Sequence, residues 1–155
     1  MSNAKNCMEH KMKNYKHILL ATDLHTDNKP VIEQAVSLAK RNNAKLSVVN
    51  VLPQIPYYMA SGVPSISDLE DHLEEENLKH LKALEAQIDL EADFHLLHGS
   101  PKRKIVKLAE ELDCDIIVIG SHGRYGVERF IGSTANGVLQ RADCDVLVIR
   151  IGQAK

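Results

Sequence analysis

Three cysteines in 155 residues, Cys7, Cys114 and Cys144, make neither an even set nor a Cys-x-x-Cys pair. That excludes a disulfide scaffold, so reduced thiols are expected, the buried ones acting as small hydrophobes. Long apolar runs are missing too: none approaches the roughly 18 residues of a membrane span. Residues 1–14 are polar and lack the apolar stretch of a secretory signal. A cytoplasmic protein without membrane attachment is the expectation. Charge of one sign is not in excess either, since 19 Lys and Arg against 21 Asp and Glu leave a formal net charge of -2. With no overall basic field, nucleic acid is not an expected partner. The eight histidines are scattered without metal-ligand spacing, which favours solvated or structural imidazoles and no metal site.

What is present is a chain with 44% hydrophobic and 26% charged residues, enough for one compact domain. A flexible N-terminal extension over 1–14 followed by a domain over 15–152 is the expected division. "HILLA" (17–21) and "KLSVVNV" (45–51) read as buried parallel strands. Between them Pro30 opens a helix, Ile32, Ala35, Val36 and Ala39 recur at helical spacing, and Asn42-Asn43 ends it. A proline-rich loop follows Leu52. "SDLE" then has the form of a capping box between Ser67 and Glu70. It starts a helix to about Asp89 with Leu69, Leu73, Leu78, Leu81, Leu84 and Ile88 on one face. "ADFHLL" (92–97) reads as a third strand. Ser100 and Pro101 begin a helix carrying Ile105, Leu108, Ala109 and Leu112. "DIIVIG" suits a strand covered on both faces, at the sheet centre. Ala135, Val138, Leu139 and Ala142 mark a last helix, and "DVLVIRI" a fifth strand. This alternation defines an α/β domain with a doubly wound parallel sheet and helices on both faces.

"GSHGRYGVERFIGSTANG" (120–137) holds five of the eight glycines. It follows a strand and leads into a helix near Ser133, so its backbone N–H groups and the helix dipole could converge on an anion such as phosphate. Glycine permits positive φ and close ligand approach, Ser133 and Thr134 add hydroxyls, and Arg124 and Arg129 add charge. Against this stands plain turning, with serine as an ordinary cap. Neither a G-x-x-x-x-G-K-[ST] loop nor a G-x-G-x-x-G turn occurs. Asp23, just past the first strand, faces the same crevice if strands one and four are neighbours. There it could accept hydrogen bonds from a sugar, a base or magnesium-bound water. Alternatively, Asp23 or Asp27 caps the turn that follows.

Together "HILLATD", "NAKLSVVNV", "HGSP", "DIIVIGSHG" and "GSTANGVLQRADCDVLVIR" resemble the universal stress protein family, over nearly all of 16–151. The resemblance implies a five-stranded parallel sheet of order 3-2-1-4-5, a homodimer formed through the C-terminal strand, and a cytoplasmic stress-response role with protein partners. It also implies a division between members that bind ATP, with magnesium, through a G-x-x-G, nine-residue gap, G-[ST] motif and members that lack both motif and nucleotide. Position by position, Asp23 matches the acidic residue after strand one, Val51 the adenine-contacting backbone, and Gly120, Gly123, Gly132 and Ser133 the phosphate loop. This chain has eight residues, 124–131, where the binding pattern has nine. One residue spans roughly 3.3 to 3.6 Å, more than a hydrogen bond of about 2.9 Å. The shortened gap therefore opposes tight ATP binding while the retained glycines favour it. Two readings stay open: an adenine-nucleotide site at the Gly120–Ser133 loop, and a nucleotide-free homodimer acting through protein partners.

Catalysis is not expected beyond weak ATP hydrolysis. Glu128 is the one carboxylate of the loop, and His122, directly after a strand, is as well suited to turn packing as to base catalysis. A phosphoacceptor receiver domain is disfavoured because no acidic cluster with a suitable lysine is evident.

Overall fold

A computed structural model describes residues 14–55, 65–121 and 131–151 of the chain. Five strands form one parallel sheet: β1 (His17–Ala21), β2 (Lys45–Leu52), β3 (Ala92–His98), β4 (Ile116–Gly120) and β5 (Asp145–Ile149). Their spatial order is β3-β2-β1-β4-β5. β1 is thus the central strand, and β4, expected at the centre, lies one place out with a partner on each side. Both strands are short and almost wholly apolar because both faces of the sheet are covered.

The connections are α1 (Lys29–Asn42), α2 (Ile66–Gln87), α3 (Pro101–Glu111) and α4 (Ser133–Leu139). Alternation along the strands divides the core in two. Ile18, Leu20, Leu46 and Val48 pack with Val31, Ala35 and Ala39 of α1 and Leu81 and Leu84 of α2. Leu19, Ala21, Val49, Ile117 and Ile119 pack with Ile105 and Leu108 of α3 and Ala135 and Val138 of α4. A strand residue changes face with every step, and one short run therefore feeds both layers.

The helix boundaries carry the differences from the sequence reading. α2 begins at Ile66, and its cap is Ser65, in extended conformation, whose Oγ accepts from the Asp68 N–H at 3.2 Å. Ser67 lies inside the first turn, so Ser67 and Glu70 do not form the expected box. An N-cap must stand outside helical φ/ψ, and Ser65 meets that condition. The apolar stripe of α2 is narrower than its leucine content suggested: Leu81 and Leu84 are buried while Leu78 is 41% exposed. α4 stops at Leu139, which is exposed, and Ala142 lies beyond the turn that follows. Asn43 ends α1 in the left-handed region at φ 50°, with its N–H bonded to Lys40 and Ala39 carbonyls, as the Asn42-Asn43 stop required. No described helix is long and apolar enough to cross a membrane.

Candidate functional site

Chain direction reverses across the sheet between β1 and β4. From β1 the chain steps to β2 and β3 on one side, then returns to β4 and β5 on the other. The ends of β1 and β4 are direct neighbours, with Ala21 paired to Ile119. A crevice at such a switch point is where doubly wound sheets bind ligands. The juxtaposition on which the sequence reading depended is therefore present.

Past β1 the backbone turns sharply. The Thr22 N–H donates to the Val49 carbonyl at 3.0 Å and extends the β1–β2 ladder by one residue. Leu24 then sits at φ 61°, an unusual place for a bulky side chain. The turn is held by two side chains: Thr22 Oγ1 accepts from the Leu24 N–H and Asp23 Oδ1 from the His25 N–H, each at 3.0 Å. Asp23 Oδ1 also accepts from Asn28 Nδ2. Asp23 thus caps its own turn, the structural role open to it in the sequence, and it does so while remaining exposed at the crevice. Asp27 instead pairs with His25 Nδ1 at 3.3 Å on the surface.

Gly120 ends β4 beside this turn. A β-carbon there would meet Ile151 Cδ1 at 2.5 Å and Asn28 Oδ1 at 3.1 Å, and its φ is not in the left-handed region. Close packing alone is enough to require a glycine here, without the positive φ expected of the glycine-rich stretch. Ser121 joins the segments beyond it: its N–H donates to the Ile149 carbonyl at 2.7 Å and its Oγ accepts from the Ile151 N–H at 3.1 Å. The Gly132 N–H donates to the Ser121 carbonyl at 2.6 Å. This bond returns the chain to the end of β4 just where α4 starts. Gly132 is its N-cap, Ser133 its first residue and Thr134 its second, so their position at a helix start beside Gly120 is as expected. Gly123, with His122, Arg124, Glu128 and Arg129, lies outside the described residues. Val51 is half-buried in β2, paired with Leu97 of β3, with β1 between it and Gly120.

Two asparagines escaped the sequence reading. Asn28 is 4% exposed and links Asp23 to the packing around Gly120. Asn50, also 4% exposed, donates from Nδ2 to the Thr22 carbonyl at 2.9 Å and leaves its buried Oδ1 without a partner among the described residues. A polar residue inside "SVVNV" was the available signal for Asn50, since buried amides are retained where they have bonds to make. Asn28 had none, being one of several polar residues in a turn. Among the described residues no group of three or more His, Cys, Asp or Glu is arranged to hold a metal ion.

These features define a class: a doubly wound α/β domain of order 3-2-1-4-5 with its polar side chains gathered where the strand order reverses. Within that class the chain belongs to the universal stress protein family, whose sequence model matches residues 14–150. It is 39% identical to universal stress protein A homolog 1 of Coxiella burnetii over 138 residues, covering 87% of this chain and 96% of that one. Among solved structures it is similar to the universal stress protein UspA from Lactobacillus plantarum, with a TM-score of 0.73 and 26% identity over 89% of this chain and 99% of that one. It is also similar to the universal stress protein from Archaeoglobus fulgidus in complex with dAMP, with a TM-score of 0.60 and 26% identity over 88% of this chain and 99% of that one.

Proposed function

We propose that the crevice between the ends of β1 and β4 binds an adenine nucleotide, and that this universal stress protein works in the cytoplasm as a nucleotide-responsive stress factor. The observation carrying the proposal is the register that sets Ala21 beside Ile119, with the Gly132 to Ser121 bond bringing the start of α4 to the same place. Asp23 and the first turn of α4 then flank one opening. The related Archaeoglobus fulgidus protein, matched over 88% of this chain and 99% of its own, was solved with dAMP, which supports an adenine nucleotide as the ligand class.

In this reading each residue has a separate task. The exposed Asp23 carboxylate accepts hydrogen bonds from the sugar or the base, and the Val51 backbone faces the adenine. Gly120 and Gly123 begin the phosphate loop. Gly132, Ser133 and Thr134 offer N–H and hydroxyl donors to phosphate at the helix start. Magnesium would arrive with the phosphates. We assign binding to this site and no catalytic role to any residue.

The test is thermal unfolding with ATP and magnesium, and separately with AMP. A ligand of the folded state at a hundred times its Kd adds about 2.7 kcal/mol, which for a domain of this size raises Tm by several degrees. Gly123→Val should remove the rise. No rise with either nucleotide at millimolar concentration would overturn the proposal. A second reading, favoured by the edge position of β5, is a nucleotide-free homodimer formed through that strand and acting on protein partners. The absence of any rise with nucleotide would leave this second reading ahead.

A further inference from the structure

At the opposite end of the sheet from Asp23 and Gly120, Cys114 and Cys144 line one cavity of about 150 Å³. Its apolar wall includes Val106 and Ala109 of α3 and Ile117 of β4. Both cysteines face the same apolar cluster, Cys114 buried within it and Cys144 half-buried at its margin. Both carry thiols and neither belongs to a disulfide.

The two cysteines precede neighbouring strands, whose first residues Ile116 and Asp145 pair, with the Asp145 N–H donating to the Asp115 carbonyl at 3.2 Å. Cys114 lies in the turn that closes α3, after Asp113 at φ 50°, and its N–H donates to the Ala109 carbonyl at 2.8 Å. That turn places it in the same core layer as Cys144. Neighbouring strands run about 4.8 Å apart, and disulfides span roughly 4.4–6.8 Å between Cα atoms. A shared cavity, a shared layer and adjacent strand starts are the observations that bring the two thiols together.

We propose that Cys114 and Cys144 are a redox-modification site, at which a peroxide oxidises the two thiols to one disulfide that ties the edge strand β5 to β4. Cys144, the more accessible, reacts first. Its thiolate attacks one peroxide oxygen, the O–O bond breaks, and the departing hydroxide takes up a proton to leave as water, giving a sulfenic acid. The Cys114 sulfur, its proton passed to solvent, then attacks the Cys144 sulfur, the S–O bond breaks and a second water leaves. Two thiols lose two electrons and two protons, and hydrogen peroxide becomes two waters.

The environment of Cys114 agrees with that order. Burial first, then the neighbouring Cys144, Asp115 and Asp113, push its thiol up to about 12. A sulfur so protected is a poor first target, and the direct influence of Cys144 on it reflects their proximity. In the sequence Asp-Cys-Asp precedes each of the two strands, at 113–115 and 143–145. Adjacent strand starts and a common cavity turn that repeat into a pair.

The experiment uses the full chain carrying Cys7→Ser, exposed to hydrogen peroxide, denatured in N-ethylmaleimide, digested and mapped by mass spectrometry. The expected product is a linked peptide pair joining Cys114 to Cys144, at monomer mass on a non-reducing gel and reversed by dithiothreitol. Cys114→Ser should leave Cys144 as a sulfenic acid that dimedone labels. Maleimide labelling of both cysteines after treatment, oxidation of Cys144 to a sulfinic acid with Cys114 still reduced, or a bridge between two chains would each overturn the proposal. The linkage map needs only the Cys7→Ser chain, so a poorly folding Cys114 variant does not obscure the result.

Discussion

At Gly137 the neighbour decides what the position tolerates. A β-carbon there would lie 2.6 Å from Lys102 Cδ and 2.9 Å from Lys102 Cβ, where α4 crosses α3. Alanine is the better helix former by about 1 kcal/mol, yet overpacking costs typically 1–3 kcal/mol. Lys102 Cβ is fixed to its backbone and cannot swing aside as the end of the chain can. Gly137→Ala should therefore lower stability by about 1 kcal/mol, read as a reduced urea midpoint with an unchanged slope. A stabilised variant would show that α3 and α4 are not in this close contact. Cys114 gives a second residue-scale prediction. Its thiol lies at about 12 in the folded protein against 9.0 ordinarily, so the unfolded chain loses this proton first as pH rises. The contribution to stability is complete below pH 9 and is lost between 9 and about 12. Within that window the loss approaches about 1.4 kcal/mol per pH unit. Urea unfolding of the wild type and Cys114→Ala across this range should show the steeper decline in the wild type; parallel curves would contradict it.

Among the elements, the termini of helices show what local chemistry can and cannot announce. Asn43 ended α1 as its sequence required, because asparagine tolerates the left-handed region that closes a helix. The start of α2 had two candidate serines two residues apart, and a capping-box pattern favoured the wrong one. Ser65 caps because the incoming chain is extended there, a property of the loop that precedes it. β5 differs in kind. Val146 and Val148 pack toward one core layer and Leu147 and Ile149 toward the other, so its side chains are already used within the fold. Its remaining resource is the main-chain edge away from β4. Such an edge is satisfied by a second copy of the same strand. Sizing chromatography should accordingly give twice the chain mass of 17.3 kDa. A species of single-chain mass at micromolar concentration would rule out the β5 homodimer.

At the scale of the molecule, the order 3-2-1-4-5 separates two ends with different chemistry. The carboxyl ends of the strands carry Asp23, Asn28 and the start of α4, while the amino ends of β4 and β5 carry the paired thiols. A bridge between Cys114 and Cys144 would enclose the whole segment from β4 through α4, including the glycine-rich loop. Strand and helix identities were legible from hydrophobic spacing, because apolar periodicity records which faces are covered. So was the placing of Gly132 and Ser133 at the start of the last helix. The reason for Gly120 was not legible: glycine signals a need for space without naming the occupant, here Ile151 and Asn28. The contact of Asn28 with Gly120 and the cysteine pair were hidden for a similar cause, since each joins segments distant in the chain. By itself the sequence determined the elements, their α/β alternation and the likeness to the universal stress proteins, all of which follow from local periodicity and motif spacing. Only the tertiary structure decided which strand ends meet, what fills the space beside each glycine and which thiols share a cavity, because those depend on contacts between segments that no local pattern encodes.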